Sequence, residues 1–188
     1  MAQLIEKFNE EYRQMVARYI RDNDPTVFHN ETIANAKDIT IQFLNAAQNS
    51  VEIMTGAMAE VFYNDERIKE AFVNAARRLP QNAIRIFTVN SPGDEVLRIQ
   101  KSIEEINESA GKARGNASIV YRPARYDGNP ETLRHFMLVD DKRYRWEFPH
   151  ERFIGKLKDV SATVCCFDRV TVKERKDFFN SVWKVIGA

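Results

Sequence analysis

Two runs of alternating apolar and polar residues flank a short polar turn in the stretch LRHFMLVDDKRYRWEF, which occupies residues 133–148. Alternation with a period of two is typical of β-strands, and the Asp-Asp-Lys turn between the runs indicates an antiparallel hairpin. A loop of three residues, 140–142, pairs Phe136 with Trp146. A loop of two residues would mix apolar and polar side chains on each face, so the pattern favours the three-residue loop.

This pairing gives the hairpin two chemically different faces. The apolar face carries Phe136, Leu138, Tyr144 and Trp146, and the opposite face carries His135, Met137, Arg143, Arg145 and Glu147. Because His135 lies opposite Glu147 in this register, the carboxylate can orient the imidazole ring. Arg145 lies beside them and offers a guanidinium fork for a phosphate or carboxylate. The second face is therefore the one that needs an explanation.

Helical and strand periodicities alternate along the rest of the chain. The sequence predicts helices over about 2–21, 31–47, 65–79, 91–109 and 172–186, and further strands over 51–56, 83–89, 117–122 and 162–167. This order predicts an α/β domain with a mixed sheet flanked by helices on both faces and an N-terminal helical pair. We expect residues 1–30 to be a helical extension and 31–188 the domain itself, with His29 in a turn between the first two helices.

The near-zero net charge of the chain argues against partners, such as nucleic acid, that are attracted by the electrostatic field of a whole protein. The chain has 28 Lys and Arg residues against 27 Asp and Glu, so any site for nucleic acid or an anionic membrane must be local. No apolar run is long enough to span a membrane, and the N-terminal segment lacks the apolar core of a signal peptide, so we expect a cytoplasmic protein. Cys165 and Cys166 are neighbours in a predicted strand, which argues against a disulfide and a zinc site. The glycines form no nucleotide-binding motif, and no cofactor is expected.

The order of elements, with a histidine-bearing hairpin late in the chain, resembles the phospholipase D-like domain. The stretches that carry the resemblance are VEIMTGAM, ERIKEAFVNAARR, IRIFTV, RHFMLVDDKRYRWE and ATVCCFDRVTVKERKDFFNSVW, which together cover about residues 35–186. The resemblance implies a histidine nucleophile in a His-x-Lys motif, with an Asp and a Gly-Ser further along that cradle the phosphate. It also implies that two such halves, from one chain or from a homodimer, meet to form one site.

Only the histidine of that motif is present in this sequence, as His135. Met137 stands at the lysine position, Lys142 at the aspartate position, and Pro149-His150 at the Gly-Ser position. A methionine cannot bind phosphate, and losing one anion-stabilising donor typically costs on the order of 100- to 1000-fold in rate. We therefore expect a catalytically degenerate domain, working as a homodimer.

Three interpretations of the polar hairpin face stay open. It can be a salt-bridged structural patch where the sheet meets a dimer partner. It can bind a phosphorylated or anionic ligand through Arg145, Glu147, Arg143 and Lys142. It can also belong to a divergent, metal-independent phosphodiesterase or nuclease in which His135 is catalytic. For the whole chain we predict a binding or regulatory module rather than an enzyme.

Two broader alternatives rest on other parts of the sequence. Several arginines interleave with aromatic residues as in a nucleic-acid groove: Arg122, Arg125, Arg134, Arg143, Arg145 and Arg152 with Tyr121, Tyr126, Tyr144 and Trp146. Carboxylates lie among them, so a mixed solvated surface is the favoured interpretation. Alternatively, the chain is a structural interaction module whose first helix docks a partner helix through an apolar stripe, formed by Leu4, Phe8, Tyr12, Met15 and Tyr19.

Overall fold

The computed structural model describes residues 2–56, 64–112, 116–125, 134–147 and 161–186. These residues form five helices and seven strands, and the strands belong to one sheet. The helices are α1 (Ala2–Asp22), α2 (Ile33–Ala46), α3 (Glu66–Arg78), α4 (Gly93–Ser109) and α5 (Arg169–Val185). The strands are β1 (Val27–Asn30), β2 (Val51–Thr55), β3 (Ile84–Val89), β4 (Ile119–Ala124), β5 (Phe136–Val139), β6 (Arg143–Glu147) and β7 (Ala162–Cys165).

The sheet is mixed, with the strand order β1-β7-β6-β5-β2-β3-β4. Strands β2, β3 and β4 run parallel, as strands joined by crossover helices do. All other neighbouring strands are antiparallel, including the hairpin β5-β6, which pairs with β2 on one side and β7 on the other. The predicted α/β class, a mixed sheet with helices on both faces, is confirmed.

The hairpin has the register that the residue pattern predicts. Phe136 pairs with Trp146 and Leu138 with Tyr144, across a turn of three residues. Burial explains this choice, because a slip of one residue would move every apolar side chain of the hairpin to the other face of the sheet. The register therefore decides which side chains surround His135.

Two hydrophobic clusters lie on opposite faces of the sheet. The larger one joins the sheet to α1, α2, α3 and α4, and Val16, Phe43 and Met137 belong to it. The smaller one lies under α5, where the Phe179 ring is 4.9 Å from that of Phe87. The two faces of the hairpin thus have different environments, one under four helices and one under a single helix.

The predicted turn around His29 is wrong, because residues 27–30 form the edge strand β1. This strand pairs antiparallel with β7, with Asn30 opposite Ala162. Its four residues give too short a pattern to recognise, and the pairing depends on a strand more than 130 residues away in sequence. The domain boundary at residue 30 stays a prediction, although β1 belongs to the same sheet and Val16 of α1 lies in the larger cluster.

Side-chain caps define where three of the helices begin. Thr32 caps α2, Asp65 caps α3 and Asp168 caps α5, each accepting a backbone N–H of the first helical turn. The Asp65 carboxylate also accepts from the Lys37 ammonium, at 3.0 Å, and from the Arg67 guanidinium, at 3.3 Å. Burial acts to raise the pKa of Asp65, but these hydrogen bonds outweigh it and lower the pKa to about 2.

Replacing Asp65 with alanine should lower the free energy of unfolding by about 1 kcal/mol at neutral pH, the usual cost of losing an N-cap. Because the pKa is lower in the folded state than its ordinary value of 3.8, the electrostatic part of this stabilisation is present above that value and is lost as the pH falls through about 2. Urea unfolding at neutral pH and near pH 2 measures both parts.

The matched control is Asp94→Ala, which removes a carboxylate from the first turn of α4, a helix without a side-chain cap. We expect this variant to lose less stability than Asp65→Ala at neutral pH. Equal losses for the two variants, or a loss for Asp65→Ala that does not shrink near pH 2, would contradict the assignment.

Candidate functional site

His135 lies where several strands end on one edge of the sheet. It directly precedes β5, and Gly56, which follows β2, lies beside it. Glu147 closes β6, and Asn30 closes β1. Parallel strands β2 and β3 have their carboxyl ends at this edge, where ligands bind in open α/β sheets. The site is thus assembled from residues distant in sequence by the strand order alone.

Both ring nitrogens of His135 are engaged. Nδ1 lies 3.0 Å from Oε2 of Glu147, and Nε2 lies 3.0 Å from the backbone nitrogen of Gly56. A backbone N–H can only donate, so Nε2 must accept this hydrogen bond with its lone pair, and the proton of the neutral ring belongs on Nδ1. The arrangement therefore selects one tautomer of a neutral imidazole.

The Gly56 peptide is itself held in place. Its carbonyl oxygen accepts a hydrogen bond of 2.9 Å from the Ser91 hydroxyl, which lies just after β3. The N–H of the same residue is directed to His135. The ends of β2 and β3 thus hold the Gly56 N–H in the position from which it donates to Nε2 of His135.

Glu147 joins His135 to a buried arginine. Its Oε1 accepts from Nη1 of Arg145, a residue that is 5% exposed. Nε of Arg145 donates to the side-chain oxygen of Asn30 at 2.9 Å, and the amide nitrogen of Asn30 donates to the Thr32 carbonyl. These contacts form a hydrogen-bond network that crosses the sheet from β1 to the end of β2. The network has no net charge, because the charges of Glu147 and Arg145 balance each other.

One N–H donor of this hydrogen-bond network has no acceptor among the described residues. This donor is Nη2 of Arg145, which is buried. The Arg145 charge also acts on Tyr12 of α1, whose pKa is raised by burial and lowered in part by this charge. The unused donor therefore belongs to the interior of the site, on the face covered by α1 and α2.

The Nε2 atom of His135 is already engaged by a backbone donor. A phosphohistidine intermediate requires the Nε2 lone pair, which here accepts the Gly56 N–H. Met137, at the position where the resemblance implies a lysine, is packed in the larger hydrophobic cluster. Attack would need the Gly56 contact to break and another cation to stabilise the phosphoryl oxygens.

The structure brings together three of the five predicted site residues and separates two. Arg143 and Lys142 lie at the turn, the other end of the hairpin, about 13 Å along the strand at 3.3 Å per residue. Nη1 of Arg143 donates to Asp140 at 3.1 Å, and the carbonyl of Lys142 accepts from the backbone of Asp168. Alternate residues of a strand lie on the same face of the sheet but can be far apart along it. The sequence pattern shows only the face, and for this reason it grouped all five residues into one site.

Asp140 explains why an arginine is buried near the turn. Its Oδ1 accepts from three consecutive backbone N–H groups, those of residues 48–50, at 2.7 to 3.3 Å. Its Oδ2 accepts from Arg143, which is 5% exposed. This carboxylate ties the loop before β2 to the hairpin turn, so Arg143 has a partner with a structural role.

A third group of buried ions, around Glu52, was missed by the sequence analysis. Glu52 in the middle of β2 is fully buried, and it accepts from Arg85 of β3 at 2.8 Å, with Lys176 of α5 at 3.6 Å. The signal was a single charge in each of the apolar strands VEIMT and IRIFTV, at positions that parallel pairing places side by side. This cluster anchors α5 to the sheet.

Other reactive groups offer little chemistry. Cys165 and Cys166 are free and buried, and burial raises the pKa of the Cys166 thiol to about 12, so no thiolate is available at neutral pH. Across the described ranges, no group of three or more His, Cys, Asp or Glu side chains is placed to hold a metal ion. None of the helices described is long and apolar enough to cross a membrane.

No family model and no curated protein sequence matches the chain. Solved structures do match. The phospholipase D family member Nuc from Salmonella typhimurium superimposes with a TM-score of 0.58 at 15% identity, covering 86% of this chain and 95% of that one. NucT from Helicobacter pylori gives a TM-score of 0.50 at 9% identity, covering 85% and 97%.

A third match is TrmBL2, described as an archaeal chromatin protein with a novel mode of DNA binding. Its TM-score is 0.56 at 16% identity, and the match covers 97% of this chain. The chain spans 62% of the length of TrmBL2. At these identities the matches establish the fold: the chain has a phospholipase D-like α/β fold.

Proposed function

We propose that the chain is a non-hydrolytic phospholipase D-like module that binds a phosphorylated or anionic ligand and acts in regulation. The observation that carries this proposal is the hydrogen bond from the Gly56 N–H to Nε2 of His135. It occupies the lone pair that a nucleophile would use, while Nδ1 holds Glu147. The histidine then positions groups around the site and does not attack a substrate.

The preference for an anion rests on Arg145. A buried guanidinium N–H without an acceptor is costly, and an anionic oxygen is the strongest acceptor it can meet. Within the described ranges, Nη2 of Arg145 is such a donor, and the carboxylate beside it already balances one charge. We place the proposed ligand at His135, Arg145 and Glu147, and leave out Arg143 and Lys142 because they lie at the hairpin turn.

The alternative function is that of a divergent phosphodiesterase or nuclease. It requires the Gly56 contact to open and His135 to attack without the lysine of the family motif. Hydrolysis separates the two functions because a module that binds without reacting leaves its ligand intact.

Wild-type protein should hydrolyse neither bis(p-nitrophenyl) phosphate nor single- and double-stranded nucleic acid above the level of His135→Ala, with or without a chelator. We expect the two rates to agree within about twofold, since no nucleophile is lost. His29→Ala, which removes an exposed histidine of β1, is the matched control. Metal-independent cleavage that disappears in His135→Ala and survives in His29→Ala would overturn the proposal in favour of the phosphodiesterase.

The proposed assembly is a homodimer. The resemblance to phospholipase D-like domains implies that two halves meet at the histidine, and the described strands form a single sheet. Symmetric pairing would place two copies of the polar cluster next to each other.

Sedimentation equilibrium should therefore show a dimer at high micromolar concentration. The pairing is expected at the edge that carries His135, so Glu147→Lys should weaken it, whereas Glu104→Lys on α4 should not. A wild-type chain that stays monomeric would contradict this part of the proposal and leave the ligand site to a single protomer.

A further inference from the structure

Two arginines surround the indole ring of Trp146, on the hairpin face opposite to His135. The guanidinium carbon of Arg175, from α5, lies 3.5 Å from the ring centroid, and that of Arg134 lies 5.3 Å from it. Trp146 is half-buried and packs against the smaller hydrophobic cluster. We call Arg134, Trp146 and Arg175 the Trp146 cluster.

The cluster contains buried donors without acceptors. Nε1 of Trp146 and Nε of Arg175 are both buried and lack a hydrogen-bond partner among the described residues. Burial lowers the pKa of Arg175, Glu174 opposes this, and the positive charge of Arg134 lowers the pKa further. Such buried donors need an explanation, because almost all buried N–H groups in folded proteins have an acceptor.

The second tryptophan provides an internal comparison. Two arginines also lie over Trp183, with Arg122 at 4.4 Å and Arg85 at 5.8 Å from the ring centroid. Both have acceptors: Arg85 donates to Glu52 at 2.8 Å, and Arg122 donates to the Trp183 carbonyl at 2.9 Å. Two arginines can therefore lie over an indole with acceptors for their N–H groups. At Trp146, by contrast, the indole Nε1 and Nε of Arg175 have no acceptor among the described residues.

The distances indicate where an acceptor would bind. The guanidinium carbon of Arg175 is 3.5 Å from the Trp146 ring centroid, which places the two unsatisfied N–H groups in neighbouring, contacting side chains. An oxyanion is the strongest acceptor that such donors can meet, and the arginines over the indole favour a negative charge there.

We propose that the Trp146 cluster is a binding site for a single phosphate-type oxyanion, separate from the site at His135. The phosphate can be carried by a small monophosphate ester or by a nucleic-acid backbone, since both present the same oxygens. This inference does not rest on the proposed function of the His135 site, which lies on the other face of the hairpin.

The indole N–H resonances of the two tryptophans test this directly, because the chain has only Trp146 and Trp183. During titration with inorganic phosphate at constant ionic strength, the Trp146 signal should shift to saturation and the Trp183 signal should not. Arg175→Gln should weaken binding at least about tenfold, as expected when a charge-assisted contact is lost. Arg169→Gln, which removes an arginine over the Phe167 ring at the start of the same helix, should bind as wild type does.

Further variants keep the test decisive if Arg175→Gln is unstable. Arg175→Lys keeps the charge without the planar fork and should bind with intermediate affinity. His135→Ala should bind phosphate at Trp146 unchanged, which separates this site from the proposed function. A sugar monophosphate and a short oligothymidine should then be titrated under the same conditions. The one that shifts the Trp146 signal at the lower concentration identifies the source of the phosphate.

Three results would overturn the proposal. The Trp146 signal could respond to phosphate no more than to chloride, it could fail to saturate, or folded Arg175→Gln and Arg175→Lys could both bind as tightly as Arg169→Gln. Any of these would assign the cluster to packing between α5 and the hairpin alone.

Discussion

The Glu147 carboxylate is the interaction on which the site and much of the sheet edge depend. One oxygen holds the imidazole of His135, and the other holds the guanidinium of Arg145. Arg145 is 5% exposed, so removing its carboxylate would leave a buried charge without compensation, a change that commonly costs several kcal/mol. The chain continues through Asn30 to β1, which makes the edge strand part of the same network.

The same network engages the groups that the chemistry implied by the family resemblance would need to be free. A nucleophilic histidine needs an accessible lone pair and cations for the phosphoryl oxygens. Here the lone pair of His135 accepts a backbone N–H, and Met137 is buried where the motif would have lysine. Arg145 introduces a positive charge, but Glu147 balances it. Side chains that could serve a reaction are instead bonded to one another.

Much of the fold could be predicted from local pattern. The hairpin register followed from the alternation of its residues, because burial of one face permits only one parity. Strand β1 was missed because four residues carry little pattern and its partner β7 is distant in the sequence. The distance of Arg143 from His135 was not foreseen for a related reason. A shared face says nothing about position along the strand, and its partner Asp140 lies at the turn.

The decisive contact of the site could not be predicted from the sequence. The Gly56 N–H belongs to the backbone, and no side-chain pattern reports its direction. Its position follows from pairing between β2 and β5 and from the Ser91 hydroxyl that holds the Gly56 carbonyl. Glu147, in contrast, was identified correctly as the partner of His135 because both are side chains in one hairpin.

The nitrogen-15 spectrum of the His135 ring at neutral pH tests the central claim most directly. The signals can be assigned by comparison with His135→Gln. The account predicts a neutral ring protonated at Nδ1, with Nε2 bare and shifted as a hydrogen-bond acceptor. A ring protonated at Nε2, alone or together with Nδ1, would show that Gly56 does not occupy this nitrogen and would contradict the account.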